Sequence, residues 1–197
     1  MAYRKRIDKE FANIIKEITN NEKVNEMKRY KQHYDVSTYE HCIHVSYMCY
    51  VICKKLRLDY ISAARAGMLH DLFLYDWHGK QHKYKLDYIE NTKKPEFLKR
   101  YLRLHAFSHP KIALKNAKDE FELNELELEQ EMILKHMWPV TIALPRHIET
   151  YIITIADKLC AINESVEFYK RQEKIRMAYM YAFLFSCVLN TVTCIVI

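Results

Sequence analysis

The sequence has ten histidines in 197 residues, and several of them fall where a helix faces inward or ends. His41 shares a helical face with Val45, Met48 and Ile52, which turns it toward an interior. His70 and Asp71 close a stretch that holds the small residues Ala63, Ala66 and Gly67. His109 stands beside Pro110, His136 follows Met132 and Ile133, and Asp157 sits one turn after Ile153 in the apolar run YIITIADKLCAI. Taken singly, each inward imidazole is an ordinary hydrogen-bonded core residue, and Asp157 has Lys158 or Arg146 as a ready partner. Taken together they form a set. A carboxylate on an apolar helix face is costly to ionise unless a cation compensates it. Imidazoles and carboxylates converging on one place suit Fe, Mn, Co or Zn, and a bridging carboxylate among them is what a pair of ions needs.

The elements that must position these groups are helical. Phe11, Ile14, Ile15 and Ile18 predict one amphipathic helix over 3–30. Ser37 or Thr38 caps a helix over 38–56, and Asp59 caps another over 60–71. A basic helix is predicted over 95–104. Pro110 suits the first turn of the next, with Ser108 or His109 as its cap. An acidic helix covers 124–137 and another covers 147–168, before an apolar tail helix. Glycine occurs only twice, at 67 and 79, and proline four times. Neither a Rossmann fingerprint nor a Walker loop can be written with those glycines, and an all-β fold would need many more turns. The expectation is a single all-α domain. Residues 1–34 form an N-terminal helix and 35–168 the body that carries the His/Asp set. Residues 169–197 form an apolar C-terminal helix, either part of the same domain or a membrane tail.

The formal charge is +6. Lys80 to Lys118 is strongly basic and Asp119 to Glu131 wholly acidic. These read as solvated helix faces, or as a basic rim for an anionic small-molecule substrate. The aromatic and basic interleaving of a nucleic-acid platform is missing. The six cysteines form no CxxC pair, and the opening MAYRKRIDKEF is no signal peptide. Reduced, buried thiols in a cytoplasmic protein are expected. Ala178 to Ile197 carries no charge and follows Lys170, Arg171, Lys174 and Arg176. That run is long enough to span a bilayer, so it predicts either membrane association through 178–197 or a buried helix that pairs two copies of the chain.

The order His, His-Asp, further His, Asp resembles the HD-domain superfamily of metal-dependent phosphohydrolases. The matching segments are YEHCIHVSYM (His41), AARAGMLHDLF (His70 and Asp71) and TIADKLCAI (Asp157). LHAFSHPKIAL and ILKHMWP are similar to the extra-histidine segments of its dinuclear branch. The resemblance implies an all-α bundle and one or two divalent ions: Mn, Fe, Co or Zn, with Mg also admissible. It implies that His41, His70, Asp71 and Asp157 hold one ion. Asp71, His109 and His136 would hold the second, with Asp71 bridging and His105 as a further candidate.

The expected reaction is hydrolysis of a phosphate ester, on a nucleotide or small phosphorylated metabolite. Asp71 belongs to the catalytic set, with Asp76 and His78 as donors to the leaving oxygen. Lys111, Lys135, Arg146 and Lys158 are candidate phosphate-binding cations, each also readable as an ordinary surface charge. His44 is expected behind His41, and His33 and His147 at the surface. The chain departs from the family in reading HDLFLYDWH, where the cyclic-dinucleotide members continue HD-I-G-K, so no known branch's substrate carries over. Two alternatives belong to other classes: a di-iron oxygenase of HD type, and a non-catalytic ligand sensor tethered at a membrane.

Overall fold

The computed structural model describes residues 8–78, 91, 93–123 and 126–196, with side chains described in all of these except 101 and 183–196. Three short helices come first: α1 (Lys9–Ile14), α2 (Lys16–Asn20) and α3 (Glu22–Glu26), followed by a 3-10 turn at Met27–Arg29. An antiparallel hairpin, β1 (Lys31–His33) with β2 (Val36–Ser37), leads into α4 (Thr38–Leu56) and α5 (Tyr60–Leu69). Then follow α6 (Glu96–Leu102), α7 (His105–Glu120), α8 (Glu127–Lys135) and α9 (Ile148–Val196).

The central helices start where their caps dictate. The Ser37 hydroxyl oxygen accepts the Glu40 amide while the Glu40 carboxylate accepts the Ser37 amide, which satisfies two donors that the first turn would otherwise leave bare. Asp59 accepts the Ser62 amide at the head of α5. The two helices pack along each other, with α9 against α4 and α8 against α5. Cys42, Val45, Cys49, Ala63, Ala66, Met68, Leu69, Met132, Ile153 and Ala156 form the buried core between them. The four described cysteines that are buried, Cys42, Cys49, Cys53 and Cys160, are free thiols within this packing.

The start of α9 is held by Glu131 on α8. Its carboxylate accepts the amides of Arg146 (2.6 Å) and His147 (3.1 Å), the Arg146 Nε–H (3.0 Å) and the Thr150 hydroxyl (3.2 Å). Burial works to raise the Glu131 pKa, but these donors outweigh it and hold the group at about 2. A buried acid thus fixes the entry of the helix that carries Asp157.

The bundle is all-α and a single domain, but several elements differ from the sequence reading. The segment 3–30 is not one helix. Asn21 accepts the Val24 amide and begins a new helix, and Asn25 donates to the Thr19 and Asn21 carbonyls. Phe11, Ile18, Val24 and Met27 are all buried, so the apolar spacing marks burial without a continuous rod. Residues 31–37 form a hairpin that turns at Tyr34, whose φ is 54°. Pro110 lies inside α7, which begins earlier, at His105. The prediction over 124–137 falls partly on 124–125, and Gly79 and His82 fall wholly, outside the described residues.

The largest correction concerns the C-terminus. The apolar run is no separate helix. It extends a 49-residue helix whose middle carries Glu164, Glu167, Lys170, Arg171, Glu173, Lys174 and Arg176. Among the described residues no helix is long and apolar enough to cross a membrane. This overturns the expected membrane tail, and with it the expected membrane contact and the membrane association through 178–197.

Candidate metal centre

Five helices and one strand converge on a buried polar cluster. His41 comes from α4, His70 and Asp71 from the end of α5, His109 from α7 and His136 from the end of α8. Asp157 comes from α9, and β1 adds Gln32. All seven are buried.

Three of the imidazoles are pinned by their own helices. The Nδ1–H of His70 donates to the Gly67 carbonyl at 2.8 Å, that of His109 to the His105 carbonyl at 2.7 Å, and that of His136 to the Ile133 carbonyl at 2.8 Å. At His109 and His136 this fixes the tautomer that leaves Nε2 as a lone pair facing inward; at His70 burial opposes protonation, but Asp71 above all raises the ring well above the usual range. Burial pushes His109 down to about 4, and burial together with His70 does the same to His136, so both are neutral near pH 7. Their Nε2 atoms stand 2.9 Å apart, with Asp71 Oδ1 at 3.3 Å and 3.7 Å.

Asp71 is the junction. Its Oδ2 accepts the Gln32 amide at 2.6 Å and lies 3.4 Å from His70 Nε2. Its Oδ1 and His70 Nε2 are buried without a hydrogen-bond partner. Burial alone would raise the Asp71 carboxyl, yet the surrounding His70, His109 and His136 hold it well below the usual range. Lone pairs and an orphaned carboxylate oxygen aimed at one another are repulsive alone and become a donor set around a cation. The ligand atoms of His41, His70 and Asp71 lie within 4.8 Å of one another, and so do those of Asp71, His109 and His136. Two groups sharing Asp71 fit one or two metal ions.

His41 is held from both sides. Its Nε2 is 3.1 Å from Asp157 Oδ1, and its Nδ1 is 3.0 Å and 3.1 Å from the two oxygens of Glu164. Burial opposes protonation, but these carboxylates raise His41 to about 10. Asp157 Oδ1 is also 3.9 Å from His70 Nε2.

The remaining candidates fall elsewhere. His105 stacks on His109 at 4.4 Å and takes the Tyr75 hydroxyl at 3.0 Å, outside the two groups. Lys135 and Arg146 pair with Glu131, and Lys158 pairs with Asp157 at 2.5 Å. Lys111 is exposed on α7, and desolvation together with Lys94 pushes its ammonium down. Asp76 and His78 line a cavity of about 700 Å³, with His78 Nδ1 3.5 Å from Asp76 Oδ1.

Sequence reasoning missed Gln32 and Glu164 and placed His33 at the surface. His33 is half-buried, and its ligand atom lies within 4.8 Å of those of His41 and Glu164. Glu164 is buried and also lies 3.1 Å from His44 Nδ1. Its signal was present: seven residues after Asp157 is two helical turns, on the same face.

A carboxylate behind a histidine sets its tautomer and raises its basicity as a ligand. Glu164→Gln is therefore expected to lower metal affinity by about 10- to 100-fold without unfolding the protein, read by competition with a chelator of known affinity. Unchanged affinity would leave Glu164 only a packing role.

The HD-domain family model matches residues 38–162, a span that contains His41, His70, Asp71, His109, His136 and Asp157. The helical bundle and its clustered imidazoles and carboxylates define a metal-dependent phosphohydrolase fold with room for a dinuclear centre. The chain belongs to the HD domain superfamily. Searches of the curated proteins and of the solved structures find no match.

Proposed function

We propose that this protein hydrolyses a phosphate ester of a nucleotide or other small phosphorylated metabolite at the His/Asp centre. The observation that supports this most is Asp71, whose orphaned Oδ1 faces His109 and His136 while its Oδ2 faces His70. His41, His70, Asp71 and Asp157 would hold one ion, and Asp71, His109 and His136 the other. Bound ions there supply Lewis acidity toward a phosphoryl oxygen and lower the pKa of water.

The chain's own residues do the rest. Gln32 fixes the Asp71 carboxylate, and the three helix carbonyls keep the Nε2 atoms of His70, His109 and His136 directed inward. Asp76 and His78, on the cavity wall, would give a proton to the leaving oxygen.

The test is direct. Purified protein is analysed for metal, loaded in turn with Mn, Fe, Co and Mg, and assayed on phosphomonoesters, nucleotides and cyclic dinucleotides with and without O₂. Turnover of an ester without O₂, by protein holding one or two ions per chain, is the expected result. Metal-loaded protein that turns over none of these substrates would reject the reading.

A further inference from the structure

The 700 Å³ cavity lies beside the centre, connected to its two halves through layers of aromatic and imidazole rings. On one side His33 lines it, and the His33 ring lies 5.3 Å from that of His41. On the other side Trp77 lines it and stacks on His105 at 4.9 Å, which in turn stacks on His109. The Trp77 Nε1–H is buried with no hydrogen-bond partner among the described residues.

Two cations, Arg29 and Lys31, line the same cavity. Unlike Lys135, Arg146 and Lys158, neither side chain forms an ion pair among the described residues. Exposure alternates along β1: Lys31 is exposed, Gln32 buried and His33 half-buried. Lys31 and His33 therefore share a face of the strand while Gln32 reaches inward to Asp71. One strand repeat, about 7 Å, separates the residue beside the centre from the first cation. A single phosphate at the His/Asp cluster leaves Arg29 and Lys31 facing water.

Taking the phosphohydrolase reading as its basis, we propose that this cavity seats the substrate and that Arg29 and Lys31 bind a second phosphate group, beyond the one being hydrolysed. The substrate class is then a compound with at least two phosphates, such as a nucleoside polyphosphate or a dinucleotide. Asp76 is the acid on the cavity wall, and it is engaged by the His78 amide at 3.0 Å.

The test uses two inorganic probes on metal-loaded full-length protein. Orthophosphate can engage only one of the two sites at a time, whereas pyrophosphate can engage the centre and the cations together. Calorimetry is expected to show the wild type preferring pyrophosphate. The double variant Arg29→Ala/Lys31→Ala should lose about tenfold or more of pyrophosphate affinity. Its orthophosphate affinity, metal content and helical signal should not change. No wild-type preference, no loss in the double variant, or an equal loss for both probes would overturn the assignment. Wild-type protein that keeps the pyrophosphate preference but hydrolyses no ester would count against the phosphohydrolase reading and leave the two-phosphate site standing.

Discussion

Asp71→Asn is expected to fold normally, to lose its metal and to lose turnover with it. The substitution keeps the shape of the side chain and removes its charge. The amide oxygen can still accept the Gln32 N–H that now reaches Oδ2 at 2.6 Å. The amide NH₂ then takes the place of Oδ1, 3.3 Å and 3.7 Å from the lone pairs of His109 and His136. Those nitrogens would gain a hydrogen-bond donor where they now face a carboxylate. The variant should therefore be as thermally stable as the wild type while its centre is closed to cations. Metal affinity should fall by at least about 100-fold, since supporting residues alone are worth 10- to 100-fold. Asp71→Ala should behave differently. It leaves the Gln32 amide buried without its partner, a loss of about 1–3 kcal/mol. Metal analysis and thermal melts of both variants separate the two effects. Full metal occupancy and turnover in Asp71→Asn would show that Asp71 does not join the two groups.

This outcome depends on how the fold assembles the centre. None of the residues involved is held by its neighbour in sequence alone. His70 and His136 each sit at the C-cap, just past the last residue of a helix, where the chain has freed carbonyls for their Nδ1–H groups. The ends of α5 and α8 are thus used as ligand supports. The start of α9 is placed by Glu131, and α9 carries both Asp157 and Glu164 to His41. The supports are hydrogen bonds to backbone and buried carboxylates, which do not swing as surface side chains do.

Much of this was legible from residue types and spacing. The caps Ser37 and Asp59 mark α4 and α5 correctly, because capping is a local property of a few residues. The His and Asp positions at inward faces and helix ends were visible for the same reason, and the structure gathers His41, His70, Asp71, His109, His136 and Asp157 in one cluster. The hairpin was not visible. Lys31, Gln32 and His33 are all polar, with no apolar alternation to mark a strand. They pair because Gln32 finds Asp71 inside and because the Thr38 amide donates to the Tyr30 carbonyl at 2.8 Å. Missing the hairpin also hid Arg29 and Lys31, whose place beside the centre exists only once the chain has turned back. The cations that were legible, Lys135, Arg146 and Lys158, stand near acids in the fold and are paired with them. The apolar tail was misread as an element of its own because hydropathy in a window ignores the helix that leads into it.

Gly67 joins the packing to the centre, and its substitution should be among the most damaging in the core. A Cβ built there would lie 2.6 Å from Ser46 Cα and 3.0 Å from Ser46 N, against about 3.5–4.0 Å for an ordinary carbon contact. The obstacle is the backbone of α4, which no rotamer change can move aside. Gly67→Ala gains about 1 kcal/mol of helix propensity. Set against this is overpacking of about 3 kcal/mol, the upper part of the usual range, because a whole helix must shift. A net loss of about 2 kcal/mol follows, or roughly 4–8 °C in Tm for a chain of this size. The shift also separates His41 on α4 from His70 on α5, whose Nδ1–H is anchored on the Gly67 carbonyl at 2.8 Å. Gly67→Ala should therefore bind metal more weakly as well as melt earlier. Thermal melts with and without added Mn measure both. A variant that melts later than the wild type, with metal affinity unchanged, would mean that α4 and α5 have slack at this crossing and that the close approach does not set the geometry of the centre.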